Sequence, residues 1–325
     1  MKKFISVLLA LVMTMGLFAG CGQKKEDPTT IRLGGLKGPT SIGMVKLLSD
    51  EEAGNTKSDI DFVMAGAADE LTPKLLKGEL DIVAVPANLG AVLYNTSEGA
   101  VQFAAVNTLG VIYIAEKGGE TVKSIEDLKG KTIYASGKGS TPEYALNYLL
   151  AQYDLEVGKD VTVEWKSEPS EVVASIASMD NAVAMLPQPF ATVATTQVKD
   201  LKVVLSLTDE WNKLDNGSMF ITAGLIVRTE FAKQYPQQLA EFLEEYAAST
   251  KWINENVEEG AALVEQYGIV KAAIAKKAIP LCNVTYIDGA EMKTALEGYL
   301  NSLFEQNPKA VGGKMPGNDF YYNAK

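Results

Sequence analysis

The chain has 325 residues, 47% of them apolar, and a formal charge of -11. That is enough to bury the core of one large or two ordinary domains, and acidity without a basic tract excludes a binder built on nucleic-acid phosphates. There is no histidine, which removes Ser-His-Asp and Cys-His nucleophiles and histidine-ligated metal sites.

In chain order, Lys2 and Lys3 precede an apolar run, Phe4 to Phe18, then Ala19, Gly20 and Cys21. The run is short of the roughly 20 residues that a membrane span needs, so residues 1–20 read as a secretory signal. "LFAGC" is similar to a lipoprotein signal, which implies that Cys21 is lipidated and becomes the first residue. Residues 21–30 are polar, contain proline and read as a tether. The only other cysteine, Cys282, reads as a small buried apolar residue.

Strand-like runs follow at Ile31–Leu36, Ile60–Ala65, Asp81–Pro86 and Val101–Val106, with helical periods such as "TSIGMVKLL" between them. A second set follows at Thr132–Ala135, Val161–Trp165, Ala182–Leu186 and Val203–Leu207. Strands alternating with helices predict parallel βαβ units. The two sets keep register. Lys37, Gly38 and Thr40 match Lys138, Gly139 and Thr141, and Asp59, Glu70 and Pro86 match Asp160, Glu171 and Pro187. Residue identity at this offset is close to chance, so the reading of two similar α/β lobes rests on coinciding strands and turns.

Two further runs, Asn107–Lys117 and Met219–Phe231, carry the chain out of the first lobe and back. The boundaries expected are residues 31–112 plus 225–325 for lobe 1 and 113–224 for lobe 2, with hinge crossings near 107–117 and 219–226. From Thr229 the periods are helical and are expected to pack on lobe 1, and "GGKMPGNDFYYNAK" reads as an extended tail.

"KSIEDLKGKTIYAS" (Lys123–Ser136), with "GELDIVAVP" in the first lobe, resembles bacterial type II solute-binding proteins of ABC importers. The resemblance covers the whole chain after the signal. It falls in the subgroup of sulfonate, taurine, nitrate and thiamine-precursor binders. It implies a periplasmic-binding-protein-like α/β fold of two lobes joined by two crossover strands, with a helical C-terminal third. It also implies a monomer that is not an enzyme, has no cofactor or metal, closes on a small ligand, and works with permease and ATPase subunits. The lipid on Cys21 would hold it extracytoplasmically at the cell membrane.

Ligands of open α/β sheets sit beyond the carboxyl ends of the strands, and helix N-termini there favour anions. The candidate ligand residues are therefore Lys37, Gly38, Thr40 and Ser41 from one junction and Lys138, Gly139, Ser140 and Thr141 from the other. As plain structure, Thr40 and Thr141 read as N-caps. Asn88 and Gln188 follow the third strand of each lobe, and Asn107 and Thr222 lie on the crossings. Trp165 reads either as a stacking platform or as core.

With only two arginines, Arg32 and Arg228, at strand ends, a guanidinium clamp on a carboxylate is not expected. The ligand expected is a sulfonate or similar oxyanion; the alternative is a neutral heterocycle such as a thiamine pyrimidine precursor. An enzyme on the same fold conflicts with Met1–Cys21 and the absence of histidine, and a sensor or adhesin that kept the fold is a third reading. "GKT" at Gly130–Thr132 has Ile125 where a phosphate loop needs glycine. Glu70 and Glu171 read as helix N-terminal residues.

Two acyl chains suffice for stable membrane attachment. Cys21→Ser is therefore expected to move the protein from the salt-washed membrane fraction to the soluble fraction, and retention in the membrane would refute lipidation at Cys21.

Overall fold

The computed structural model describes residues 29–323, so the signal segment, Cys21 and most of the tether lie outside the described residues. The first set of elements is β1 (Ile31–Leu36), α1 (Pro39–Ile42), α2 (Val45–Glu52), β2 (Ile60–Ala65), α3 (Thr72–Leu76), β3 (Ile82–Pro86), α4 (Ala87–Thr96) and β4 (Val101–Leu109). The second is β5 (Ile112–Lys117), β6 (Thr132–Ser136), α5 (Thr141–Ala151), β7 (Thr162–Lys166), α6 (Pro169–Ala177), β8 (Ala182–Pro187), α7 (Phe190–Gln197), β9 (Leu201–Ser206) and α8 (Leu207–Lys213). The chain then returns through β10 (Ile221–Arg228), α9 (Thr229–Gln234), α10 (Pro236–Glu255), α11 (Val257–Gln266), α12 (Ala272–Ala278), β11 (Val284–Ile287) and α13 (Gly289–Gln306).

Two sheets result, ordered β11-β4-β10-β3-β1-β2 and β7-β6-β8-β5-β9. This is the expected pair of α/β lobes. β1 pairs in parallel with β2 and β3, and β6 with β7 and β8. The β-branched run of β3 is buried on both faces up to Pro86, as a strand covered by helices on both sides must be.

Several elements differ from the sequence reading. The run Asn107–Lys117 is two strands, because Gly110 and Val111 cross between the sheets. Leu207 begins α8 instead of ending a strand; the Ser206 hydroxyl accepts from the Asp209 N–H at 3.2 Å and caps the helix there. β11 is a strand the alternation did not reveal, paired antiparallel with the edge of β4. The tail is not an extended strand: Asn318–Phe320 forms a 3₁₀ turn, Phe320 is buried against Phe103 and Tyr94, and Tyr321 is buried beside Phe103. Of the C-terminal helices, α13 packs on β4 of the first sheet and also reaches α5, and α12 packs on α11 and also reaches α7. No described helix is long and apolar enough to cross a membrane.

The edge of the first sheet opposite the strand carboxyl ends is held by charge. The buried Asp81 carboxylate accepts from Arg32 Nε at 2.8 Å and Nη2 at 2.6 Å, and from Arg228 Nη2 at 3.1 Å. Both arginines of the chain are thus engaged at one buried acid. Burial pushes the Asp81 carboxyl up, but the hydrogen bonds from Arg32 and Arg228 outweigh burial and hold it below the usual carboxylate range. Asp81→Asn breaks a buried pair and is expected to cost about 3 kcal/mol of stability in chemical denaturation. The lowered folded pKa also sets the direction of the pH effect. The contribution is full above the unfolded pKa of about 3.9 and is lost as pH falls through the folded value. The wild-type stability should therefore fall more steeply below about pH 4 than that of the asparagine variant.

Candidate functional site

Strand register assembles the site. In β10, Ala223 lies opposite Pro86 on one side and Thr108 on the other, and Ile221 lies opposite Leu109. In the second sheet Ile112 lies opposite Pro187, and the Gln188 N–H donates to the Val111 carbonyl at 3.0 Å. The carboxyl ends of β3 and β8 therefore meet at the two crossings, with Asn88, Thr108, Gln188 and Thr222 around them. All four are buried.

The first junction follows β1. Gly38 is the N-cap position of α1, so Thr40 and Ser41 lie inside its first turn and do not cap it. Their hydroxyls turn back and donate to the Leu36 carbonyl, Thr40 at 3.1 Å and Ser41 at 2.7 Å. Residue 35 is glycine because a Cβ there would overlap the Ser41 Oγ. Asn107 lies behind this turn. Its Nδ2 donates to the Thr40 carbonyl at 3.2 Å and to the Tyr246 hydroxyl at 3.1 Å, while its Oδ1 accepts from Thr108 at 3.0 Å. Burial pushes the Tyr246 hydroxyl pKa well up, so it stays a neutral partner. Asn107 thus positions the junction through its backbone.

The second junction is built differently despite the matched residues. Gly139 has φ +76°, which suits glycine, whereas Gly38 is extended. Ser140 occupies the N-cap position of α5 without capping it, and its hydroxyl donates to the Gly137 carbonyl at 2.7 Å. Pro142 sits in the first turn, as expected. The Thr141 hydroxyl crosses to the other lobe and donates to Asn88 Oδ1 at 3.1 Å. Asn88 in turn donates from Nδ2 to the Ala310 carbonyl at 2.9 Å. Lys37, Lys138 and Gly139 are exposed.

Gln188 Oε1 accepts from the Thr192 N–H at 3.2 Å and its hydroxyl at 2.8 Å. The buried hydroxyls of Thr222 and Tyr299 have no partner among the described residues. Two further contacts cross between lobes. The Tyr113 hydroxyl donates to the Leu281 carbonyl at 3.3 Å, and the Glu168 carboxylate lies directly over Gly66, where a Cβ would meet Oε2 at 2.6 Å. Glu70 accepts from the Gly66 and Ala67 N–H groups, each at 3.1 Å, and Glu171 from Ser167 at 2.9 Å. These are the helix N-terminal roles expected of both. Trp165 is half-buried. Tyr246, Thr192, Tyr299 and the Ala310 carbonyl escaped the sequence reading. Only the i+4 spacing of Gln188 and Thr192 offered a signal.

Two α/β lobes, crossed twice by the chain and meeting at their strand carboxyl ends through buried neutral side chains, define a two-lobe solute-binding protein. The chain belongs to the OpuAC family, the substrate-binding domain of ABC-type glycine betaine transport systems, which matches residues 58–279. It is accordingly a substrate-binding component of an ABC import system, in a family of binding proteins and not of enzymes. Among curated proteins none matches significantly by sequence.

Solved structures share the fold. An ABC transporter protein from Parabacteroides distasonis is 24% identical over 90% of this chain and 98% of its own, with a TM-score of 0.73. The periplasmic aliphatic sulphonate-binding protein SsuA from Escherichia coli is 19% identical over 90% and 98%, at 0.70. The periplasmic nitrate-binding protein NrtA from Synechocystis PCC 6803 is 13% identical over 86% and 82%, at 0.65.

Asn107→Leu would strand the buried Thr40 carbonyl and Tyr246 hydroxyl without their donor. A loss of about 1–3 kcal/mol in denaturant unfolding is expected, and an unchanged midpoint would show that the amide does not hold the junction.

Proposed function

We propose that this chain is the extracytoplasmic, Cys21-anchored binding subunit of an ABC importer. Its two lobes close on a small organic solute bearing a sulfonate or similar oxyanion. The observation that carries the reading is the Thr141–Asn88 hydrogen bond, which joins the loops beyond β6 and β3 from opposite sheets. Buried neutral side chains gather at these strand ends, among them Gln188, whose Nε2 remains a donor, and Thr222, whose hydroxyl has no partner among the described residues. Preorganised neutral donors suit an oxyanion, and the sulphonate- and nitrate-binding names of two proteins of this fold support the same class.

The crossings at Gly110–Val111 and between α8 and β10 act as the hinge in this reading. Lysines 37 and 138 stand at the rim, where they attract an anion without desolvation. Isothermal calorimetry with short alkanesulfonates, paired with solution scattering, tests the proposal. Saturable binding with a smaller radius of gyration is expected. Binding without contraction would refute closure. Contraction driven only by uncharged heterocycles would refute the oxyanion.

A further inference from the structure

The first crossing is held from both lobes, and the two holds meet at one residue. On the lobe 1 side, the corner between α12 and β11 reaches over the crossing. The Asn283 carbonyl accepts from the Leu109 N–H at 3.1 Å. The Asn283 amide donates from Nδ2 to the Gly110 carbonyl, which only accepts, so the amide direction is fixed. Asn283 does this from the left-handed backbone region, φ +44°, where asparagine is enriched among non-glycine residues. The corner belongs to lobe 1. Val284 lies opposite Thr108 of β4, and Asn254 of α10 donates to the Val284 carbonyl at 2.8 Å. On the lobe 2 side, the Val111 carbonyl accepts from the Gln188 N–H at 3.0 Å, and Ile112 starts β5 opposite Pro187.

A peptide bond is planar, so the Gly110 carbonyl and the Val111 N–H move as one plate. The Val111 carbonyl and the Ile112 N–H form the next. The first plate is tied to lobe 1 and the second to lobe 2. Only φ and ψ of Val111 lie between them. The glycine beside it is not the free joint. A Cβ on Gly110 would lie 2.6 Å from the Phe220 ring, which is buried and stacked on Trp211 at 5.2 Å. Gly110 thus serves a close approach, and the bend is left to a fully buried valine. The second crossing, residues 214–220, is longer and includes Gly217 at φ +71°.

We propose that Val111 is the pivot of the first crossing, and that Asn283 is the positioning residue that fixes its lobe 1 side and so sets the angle between the lobes. A valine has less backbone freedom than a glycine, which keeps the swing narrow. The β2 and β7 edges lie at the far ends of their sheets from the crossing strands, and there Glu168 lies over Gly66. β2 stands four strands from β4, or about 19 Å at about 4.8 Å per strand. A turn of about 15° at Val111 therefore moves that edge about 5 Å. The inference rests on the lobes moving as proposed above, but on no ligand class.

Spin labels at Asp69→Cys and Ser170→Cys, exposed positions on the two sides of that far edge, read the angle without a ligand. The whole chain is used in its Cys21→Ser form, with Cys282 buried, and co-purified solute is removed by urea dialysis and refolding. Asn283→Gly keeps the left-handed backbone and removes the amide. Asn283→Asp sets a second acceptor against the Gly110 carbonyl. The distance distribution between the labels should broaden and lengthen, by about 5 Å, in the glycine variant and further in the aspartate variant. Asp81→Asn costs stability at the opposite end of the strands and should leave the distribution as in the wild type. Should neither Asn283 variant fold, Val111→Gly frees the pivot itself and should broaden the distribution in the same way. A distribution that the variants leave unchanged, or that Asp81→Asn changes equally, overturns the proposal. Closure fails separately: an alkanesulfonate that binds without shortening the wild-type distance refutes it, and the pivot still stands where the variants broaden the distribution.

Discussion

The architecture depends on one strand insertion, β10 between β3 and β4. β10 returns from the second sheet and pairs antiparallel on both sides, setting Ala223 abreast of Pro86 and Thr108. A one-residue slip would turn every side chain of β10 to the other face. The buried Thr222 would then change face, and Gly224, whose position admits no Cβ beside Phe103, would no longer fit. The register thereby puts both crossings next to the carboxyl ends of β3 and β8. The same strand ends at Arg228, which donates to Asp81 at the far edge of the sheet. Both ends of β10 are therefore fixed, one by a charge pair and one by the crossings.

Behind the strand ends lies a shell of amides and hydroxyls with fixed direction. Asn107 holds the first junction through the Thr40 carbonyl, and Asn88 is held by the Ala310 carbonyl from the C-terminal segment. Buried polar groups without partners are costly, so each amide has one favourable orientation, and that orientation decides what it offers across the cleft. The Ala310 carbonyl, 222 residues from Asn88 in the chain, thereby sets the orientation of the Asn88 amide.

The sequence was informative where the chemistry is local. β-branched and apolar runs separated by helical periods gave β1, β2, β3 and β8 nearly to the residue; β3 and β8 are buried on both faces, and such a strand needs a continuous apolar run. Glu70 and Glu171 were legible as helix N-terminal residues, because an acid three or four residues into a turn reaches back to free N–H groups. The crossing at Gly110 was less visible, since apolar residues flank it and a single glycine does not mark a change of sheet. The tail misled for a similar reason. Its glycines and proline read as extended, yet Phe320 and Tyr321 found an apolar surface made by distant β4 and α4.

By itself, then, the sequence determined the paired α/β lobes, the double crossing, the exclusion of histidine chemistry and the short list of polar residues beyond the strands. These follow from periodicity and composition, which are properties of neighbours in the chain. Only the tertiary structure decided what those polar residues do. Lys37-Gly38-x-Thr40 and Lys138-Gly139-x-Thr141 match letter for letter, yet one threonine turns back to its own strand and the other reaches Asn88 in the opposite lobe. The physical reason is that a hydroxyl or amide takes its direction from the partner brought to it, and those partners, Ala310, Tyr246 and Thr192, are supplied by other elements of the fold.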